Sequence, residues 1–240
     1  MKIAIIGYGK MGKMIEQVAP ERGHQVGLII DLDNASDLTP ENLKGHDVAI
    51  EFTTPGTAVQ NISACFDAGI PVVSGTTGWQ KHFETVKKRC LEENQSFVYA
   101  SNFSPGVNIL FSMNSKLAGI MNNYPPFTVR MEEIHHTQKL DAPSGTAISL
   151  ANEIIKNHDS YNQWHLSTED PSGKDSIPIN SIREDQVAGI HEVTYESDSE
   201  NITLRHAAKN RGGFALGALL AAEFIISRKG IYSMQEVLGL

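Results

Sequence analysis

Two histidines, a lysine and a glycine-opened turn are compressed into one passage, Glu132-Glu133-Ile134-His135-His136-Thr137-Gln138-Lys139-Leu140-Asp141-Ala142-Pro143-Ser144-Gly145-Thr146-Ala147. His135 stands four residues before Lys139, which pairs an imidazole able to exchange protons near neutral pH with a cation. Pro143 disfavours helix at Ala142, so a helix is expected to begin at Ser144, a good N-cap, with Gly145 and Thr146 in its first turn. The unpaired amides of such a turn bind carboxylate as readily as phosphate, and Lys139 adds positive charge beside them. The same spacing also fits a capped helix whose loop merely carries charge. Adjacent histidines invite a metal reading as well. On a strand, however, neighbours point to opposite faces and cannot share one ion, and no third histidine or cysteine stands at a usual zinc spacing. No metal is therefore expected.

A second stretch, Gly7-Tyr8-Gly9-Lys10-Met11-Gly12, follows an apolar run and opens an amphipathic one, the context in which a glycine pattern reads as a dinucleotide fingerprint. Gly7 permits the tight turn, Gly9 removes the side chain that would block a pyrophosphate, and Gly12 lets the helix sit close to its strand. The phosphates would rest on the free amides at the helix N-terminus. Asp31 then ends the second apolar run, where a carboxylate can accept hydrogen bonds from an adenosine ribose. It would repel a 2′-phosphate, while Lys10 and Lys13 would offset that, so NADH and NADPH both remain open. Gly75-Thr76-Thr77-Gly78 and Ala100-Ser101-Asn102-Phe103 follow the fourth and fifth runs. Both would lie at the carboxyl edge of a sheet, where open α/β folds bind ligands, or would serve as plain polar turns.

These residues need elements to hold them. The first hundred residues alternate β-branched runs with amphipathic segments, the pattern of βαβ units and a parallel sheet. Strands are expected near 2–6, 25–31, 47–52, 71–74 and 97–100, and helices over 10–22, 56–68 and 79–94, with an irregular crossover at 33–45. That is a Rossmann-type doubly wound α/β domain. Beyond Asn102 the rhythm becomes α+β: a helix near 106–121, a strand at 127–135, a helix from Gly145, and a hairpin of 192–196 with 202–204. The strand through 127–135 is expected to end at the histidines, since a continuing strand would send their rings to opposite faces. An exposed loop is expected over 167–175, and the apolar helix at 212–227 needs a covering surface that the first sheet can supply. The expected division is 1–102 plus 212–240 as the dinucleotide-binding domain and 103–211 as the substrate and oligomerisation domain.

Bulk properties narrow the partner. The chain has 240 residues, 40% hydrophobic and 20% charged, which suits a globular fold and excludes a small disulfide scaffold. A net charge of −8 argues against a nucleic-acid surface and leaves a small molecule as the expected ligand. No apolar window approaches the roughly 18 to 20 residues of a membrane span, and no leader is evident, so a cytoplasmic location is expected. Cys65 and Cys90 both fall in helix-like stretches and are expected to be reduced and uncatalytic.

Taken together, GYGKMG at 7–12, GTTGW at 75–79, ASNFSPGVN at 100–108 and EEIHHTQKLDAPSGTA at 132–147 resemble the dihydrodipicolinate (4-hydroxy-tetrahydrodipicolinate) reductase family along the whole chain. The His-His-x-x-Lys-x-Asp-Ala-Pro-Ser-Gly-Thr-Ala string is the specific part; the glycine turn is shared by many dehydrogenases. The resemblance implies reduction of a cyclic dicarboxylate by NADH or NADPH, with His135 as proton donor or acceptor and Lys139 as a second donor near the ring nitrogen. His136, Lys139, Ser144, Gly145 and Thr146 would surround the carboxylates, with Arg211 as a weaker addition. The cofactor would lie on the glycine turn, Asp31, Gly75–Thr77 and Ala100–Phe103. A hinge near Asn102 and Arg211 and a homotetramer built through strands near 177–204 are also implied. Two features depart from the family pattern: the glycine turn is often one residue longer, and an arginine often follows the acid where this chain has Leu32. Two other readings share parts of the pattern. A semialdehyde dehydrogenase needs a nucleophilic cysteine after the nucleotide domain, and both cysteines here lie before residue 100. A dinucleotide sensor without turnover would be indifferent to loss of the His135 imidazole.

Overall fold

In the computed structural model, which describes residues 1–169 and 173–240, the β-branched runs form strands and the amphipathic runs pack on them as helices. In chain order these are β1 (Lys2–Ile6), α1 (Lys10–Val18), β2 (Gln25–Ile30), α2 (Pro40–Leu43), β3 (Val48–Glu51), α3 (Ala58–Ala68), β4 (Val72–Ser74), α4 (Phe83–Glu92) and β5 (Ser96–Tyr99). Next come α5 (Pro105–Met121), β6 (Thr128–His135), α6 (Gly145–Asn157), β7 (Gln163–Leu166), β8 (Ser176–Arg183), β9 (Ile190–Glu196) and β10 (Asn201–Ala207). The chain closes with α7 (Gly212–Ile225), β11 (Gly230–Tyr232) and α8 (Met234–Leu238). Two units result, Met1–Pro105 with Arg211–Leu240, and Gly106–Asn210.

The first unit is a Rossmann-type sheet in the order β11-β5-β4-β3-β1-β2, with every pairing parallel. Alternate residues of β1 feed two cores: Ile3 and Ile5 join α1 and α7 on one face, while Ala4 and Ile6 join α3 and α4 on the other. Coverage on both faces explains why these strands read as unbroken apolar runs. Helix α7 supplies the cover expected of it, laying Ala218, Leu219 and Ala222 against Val48, Ile50, Val73 and Val98. A side chain at Gly217 would put its Cβ 1.7 Å from the Phe103 carbonyl oxygen, so this close approach requires glycine.

The second unit carries a mixed sheet in the order β10-β9-β6-β8-β7. Central β6 runs antiparallel to β9 and parallel to β8. One face packs Val129, Met131, Ile177, Ile179 and Tyr195 against Leu110, Ala118, Leu150 and Ile154 of α5 and α6. The opposite face carries polar pairs, Arg130 with Glu196, Arg205 with Glu192 and Asn180 with Glu132. The expected hairpin is β9–β10, closed by Ser197 donating its N–H to the Glu200 carbonyl at 2.9 Å.

Several expectations need correction. The first helix stops at Val18 and a separate 3-10 turn covers Pro20–Arg22, because Pro20 has no N–H to extend the ladder. The stretch expected to be irregular holds a 3-10 segment, Leu32–Asp37, and α2, which Thr39 caps by accepting the Asn42 N–H. Helix α4 is preceded by a 3-10 turn at Gln80–His82, and α7 ends at Ile225. Strand β11 and helix α8 were not anticipated at all; a strand of three residues gives little periodic signal. Of the loop expected over 167–175, Asp170, Pro171 and Ser172 lie outside the described residues. No helix among the described residues is long and apolar enough to cross a membrane.

Candidate active site

In the first unit, the glycine turn follows β1 and opens α1. Gly7 has φ +95°, and a Cβ there would stand 2.1 Å from the Phe52 carbonyl oxygen. A Cβ at Gly12 would meet the Gly7 carbonyl oxygen at 2.2 Å. Gly9 differs: nothing lies within 4 Å of its would-be Cβ, and no side chain caps the helix there. The first two glycines therefore serve the fold, whereas Gly9 leaves the amide end of α1 open to an anion. Beside the turn is a cavity of about 310 Å3 lined by Gly7, Tyr8, Gly9, Asp31, Leu32 and Thr53 among others. Asp31 forms a capping box with Asn34, accepting the Asn34 N–H while its own N–H is donated to Asn34 Oδ1 at 2.8 Å. Leu32 is almost fully exposed next to it. Lys10 is exposed, Met11 packs partly into the core, and the Lys13 ammonium lies 5.6 Å from the Tyr8 ring centre. The Tyr8 hydroxyl donates to Glu16, which raises its pKa above the ordinary phenol value.

The two later turns follow the carboxyl ends of β4 and β5, as expected. A Cβ at Gly75 would stand 2.0 Å from the Phe52 ring. Thr76 is buried, and its hydroxyl donates to Glu51 at 2.8 Å while accepting the Thr53 N–H at 2.7 Å. Glu51, wholly buried, also accepts from Ser74 at 2.6 Å and from Thr53. This carboxylate ties the ends of β3 and β4 together and was missed in the sequence. Phe103 is buried in the core against Phe52, with ring centres 5.6 Å apart. Of the expected cofactor residues, Thr76 and Phe103 thus spend their side chains inside the protein and offer only backbone. Thr77 and Ser101 are exposed, Ala100 is half-buried, and Asn102 accepts the Ser104 N–H at 2.9 Å.

In the second unit, β6 ends at His135, so His136 leaves the pleat and need not face away. Glu133 and His135 continue the face of Val129 and Met131 toward the helices, two residues apart in each step. Ser144 caps α6, its hydroxyl accepting the Ala147 N–H at 3.2 Å. Nothing lies within 4 Å of a Cβ built on Gly145, which leaves the mouth of the turn open. Thr146 is half-buried on the first turn. Lys139 donates to both oxygens of Asp141 at 2.7 and 2.8 Å, and this hydrogen bonding, ahead of the opposing burial, holds Asp141 below the usual carboxylate range. His136 is half-buried with its Nδ1 unpartnered among the described residues. Arg211 sits at the N-cap of α7 in the first unit.

Three groups here went unrecognised in the sequence. Glu133, 0% exposed, accepts the Ser144 N–H at 3.0 Å and the Ser181 hydroxyl at 3.0 Å, and pairs with Arg183 at 3.4 Å. His191, brought in by β9, places Nε2 at 3.1 Å from the Ser144 hydroxyl and its ring 5.0 Å from that of His135. Burial and then the neighbouring His135 push the His191 pKa down to about 4. Burial also lowers that of His135, against the pull of Glu133. For Glu133 burial acts upward, but hydrogen bonds from Ser144 and Ser181 together with His135 outweigh it and leave its pKa lowered. Glu133 was legible in principle, lying two positions before His135 on one strand face; Arg183 and His191 depend on cross-strand register. The ligand atoms of Glu133, His135 and His191 lie within 4.8 Å of one another. The carboxylate is already engaged by Ser144, Ser181 and the Arg183 cation, a donor set that fits a hydrogen-bonded network and not a cation pocket.

Comparison with known proteins agrees over both units. Residues 1–103 match the family model described as dihydrodipicolinate reductase, N-terminus, and residues 106–238 match that described as dihydrodipicolinate reductase, C-terminus. A 4-hydroxy-tetrahydrodipicolinate reductase of Christiangramia forsetii is 46% identical, covering 100% of this chain and 98% of the relative. One from Alkaliphilus metalliredigens is 33% identical, with 100% of each chain covered. Among solved structures, dipicolinate-bound dihydrodipicolinate reductase from Paenisporosarcina sp. TG-14 superposes with a TM-score of 0.81 at 24% identity, covering 98% of both chains.

Proposed function

The chain belongs to the dihydrodipicolinate reductase family, and from that premise we propose that it reduces 4-hydroxy-tetrahydrodipicolinate, or its dehydrated ring, to tetrahydrodipicolinate for lysine and diaminopimelate synthesis. The observation that carries this is the placement of buried His135 at the end of β6, on the sheet that also holds the Ser144-capped start of α6. An acid and an anion-binding turn are what a ring dicarboxylate needs.

When bound, the reduced nicotinamide supplies a hydride to an electron-poor ring carbon. The residues of this chain do the rest. Gly9 and the amides of α1 hold the pyrophosphate, and Asp31 accepts from the adenosine ribose. The amides at Gly145 and Thr146, with the Ser144 hydroxyl and His136, bind one substrate carboxylate; Lys139 exchanges Asp141 for the substrate and approaches the ring nitrogen. His135 donates the proton that completes reduction. The cofactor is NADH or NADPH, with the choice between them made around Asp31 and Leu32. We also infer a homotetramer built through the strands near 177–204, and a cytoplasmic site of action, which suits two buried free thiols.

The test is the fading of the reduced-nicotinamide absorbance when the purified protein meets freshly generated substrate with either cofactor. Turnover that His135→Ala slows by roughly 100- to 10,000-fold, with cofactor affinity unchanged, is the expected result. Cofactor binding without turnover would leave a dinucleotide sensor and overturn the reading.

A further inference from the structure

Glu133 is a buried carboxylate that the reaction as outlined does not use. One oxygen lies 3.6 Å from His135 Nδ1, an ion-pair distance once the imidazole is protonated, and 3.8 Å from His191 Nε2. The same group receives the N–H of Ser144, the residue that opens the anion-binding turn. His191 fastens the other end of that residue through its hydroxyl. Gly189 backs the arrangement: a Cβ there would stand 3.2 Å from His135 Nε2, so the ring is confined on that side too.

We propose that Glu133 is a positioning residue for both halves of the second-unit site, pairing with the His135 imidazolium and anchoring the Ser144 turn, with His191 as the brace on the Ser144 hydroxyl. The inference rests on the reading of His135 as the acid. Its physical basis is the balance of charge around that ring. His135 is faced by Glu133 on its own strand, by Lys139 and Asp141 on the connection to α6, by Arg183 on β8 and by His191 on β9. Beyond His191 stands His206 on β10. Glu133 is the anion among them that is fully withdrawn from solvent, where its field is least screened. Without it the proton on His135 would face Lys139 and Arg183 with only the exposed Asp141 to oppose them, and the ring would hold that proton less tightly. The carboxylate also has the reach to hold Ser144, which a charge alone would not do.

Two substitutions separate charge from reach. Glu133→Gln keeps the shape and removes the charge; Glu133→Asp keeps the charge and shortens the reach. The primary readout is the imidazole resonances of His135 followed against pH in the unliganded protein, assigned by loss in His135→Ala. This readout needs no turnover, so its failure is distinct from failure of the proposed reaction. In Glu133→Gln the His135 titration should move to lower pH, while Glu133→Asp should titrate close to the parent. In steady state, Glu133→Gln should lose kcat by roughly 10- to 100-fold, less than the roughly 100- to 10,000-fold that a positioned acid supplies in full, with the alkaline limb of its pH profile displaced to lower pH. Glu133→Asp should mainly raise KM for the substrate. Cofactor affinity should be unchanged in both. A folded Glu133→Gln protein whose His135 titrates as in the parent would overturn the proposal. Should that variant not fold, Glu133→Asp decides alone: unchanged KM, or a His135 titration displaced to lower pH, would sink it.

Discussion

Ser144 donates its backbone N–H to both oxygens of Glu133, at 3.0 and 3.1 Å, across eleven residues of chain. The start of α6 is thereby fastened to β6, and the Ser144 turn cannot drift from the strand that presents His135. Its hydroxyl does separate work, capping α6 through Ala147 and meeting His191.

Ser144→Ala keeps the first link and loses the second pair. A lost N-cap costs about 1 kcal/mol, which lowers the melting temperature by roughly 2 to 4 °C in a chain of this size. Substrate KM should rise by about tenfold, the equivalent of one lost hydrogen bond to a charged group, with kcat less affected. Thermal melts and steady-state kinetics on the same preparation check both.

Gly9 and Gly12 should separate binding from folding. A methyl at Gly9 meets nothing within 4 Å, whereas one at Gly12 meets the Gly7 carbonyl oxygen at 2.2 Å. Gly9→Ala should melt within about 1 kcal/mol of the parent yet bind NADH more weakly, because the methyl occupies the phosphate approach. Gly12→Ala should lose roughly 1 to 3 kcal/mol of stability. Equal cofactor affinity in Gly9→Ala and the parent would remove the phosphates from this turn.

Leu32 is almost fully exposed beside Asp31 at the rim of the cavity. Leu32→Arg should raise affinity for NADPH relative to NADH by about tenfold through a phosphate–guanidinium contact, read by equilibrium fluorescence of the bound nicotinamide. An unaltered ratio would place the 2′-phosphate elsewhere.

The buried His191 ties stability to pH. Its folded pKa is down at about 4 against 6.5 for the ordinary imidazole, so the unfolded chain binds the extra proton between these values. Stability from this group is therefore complete above pH 6.5 and is lost as pH falls toward 4, by about 3 kcal/mol in total. Denaturant melts at a series of pH values should show this slope, and His191→Gln should flatten it.

Much of the first unit was readable because its signals are local. Gly7, Gly9 and Gly12 lie within one turn, and the middles of β1, β3, β4 and β5 are apolar runs buried on both faces, with their polar residues kept to the strand ends. The end of β6 at His135 and the capping of α6 by Ser144 were likewise set by neighbours in sequence, through pleat and N-cap geometry. Short elements such as β11 escaped because three residues cannot establish a period.

The sequence by itself therefore determined the fold class, the family, the glycine turn and the His135–Lys139 string, all carried by residues close together in the chain. Only the tertiary structure decided the surroundings of those groups. Glu51 became a tie between β3 and β4 because parallel pairing sets Glu51 beside Ser74. Arg183 reached Glu133 through the register of β8 with β6, and His191 reached Ser144 through that of β9 with β6. Such registers are fixed by the packing of whole sheet faces on helices, where a slip of one residue would turn every side chain to the opposite side.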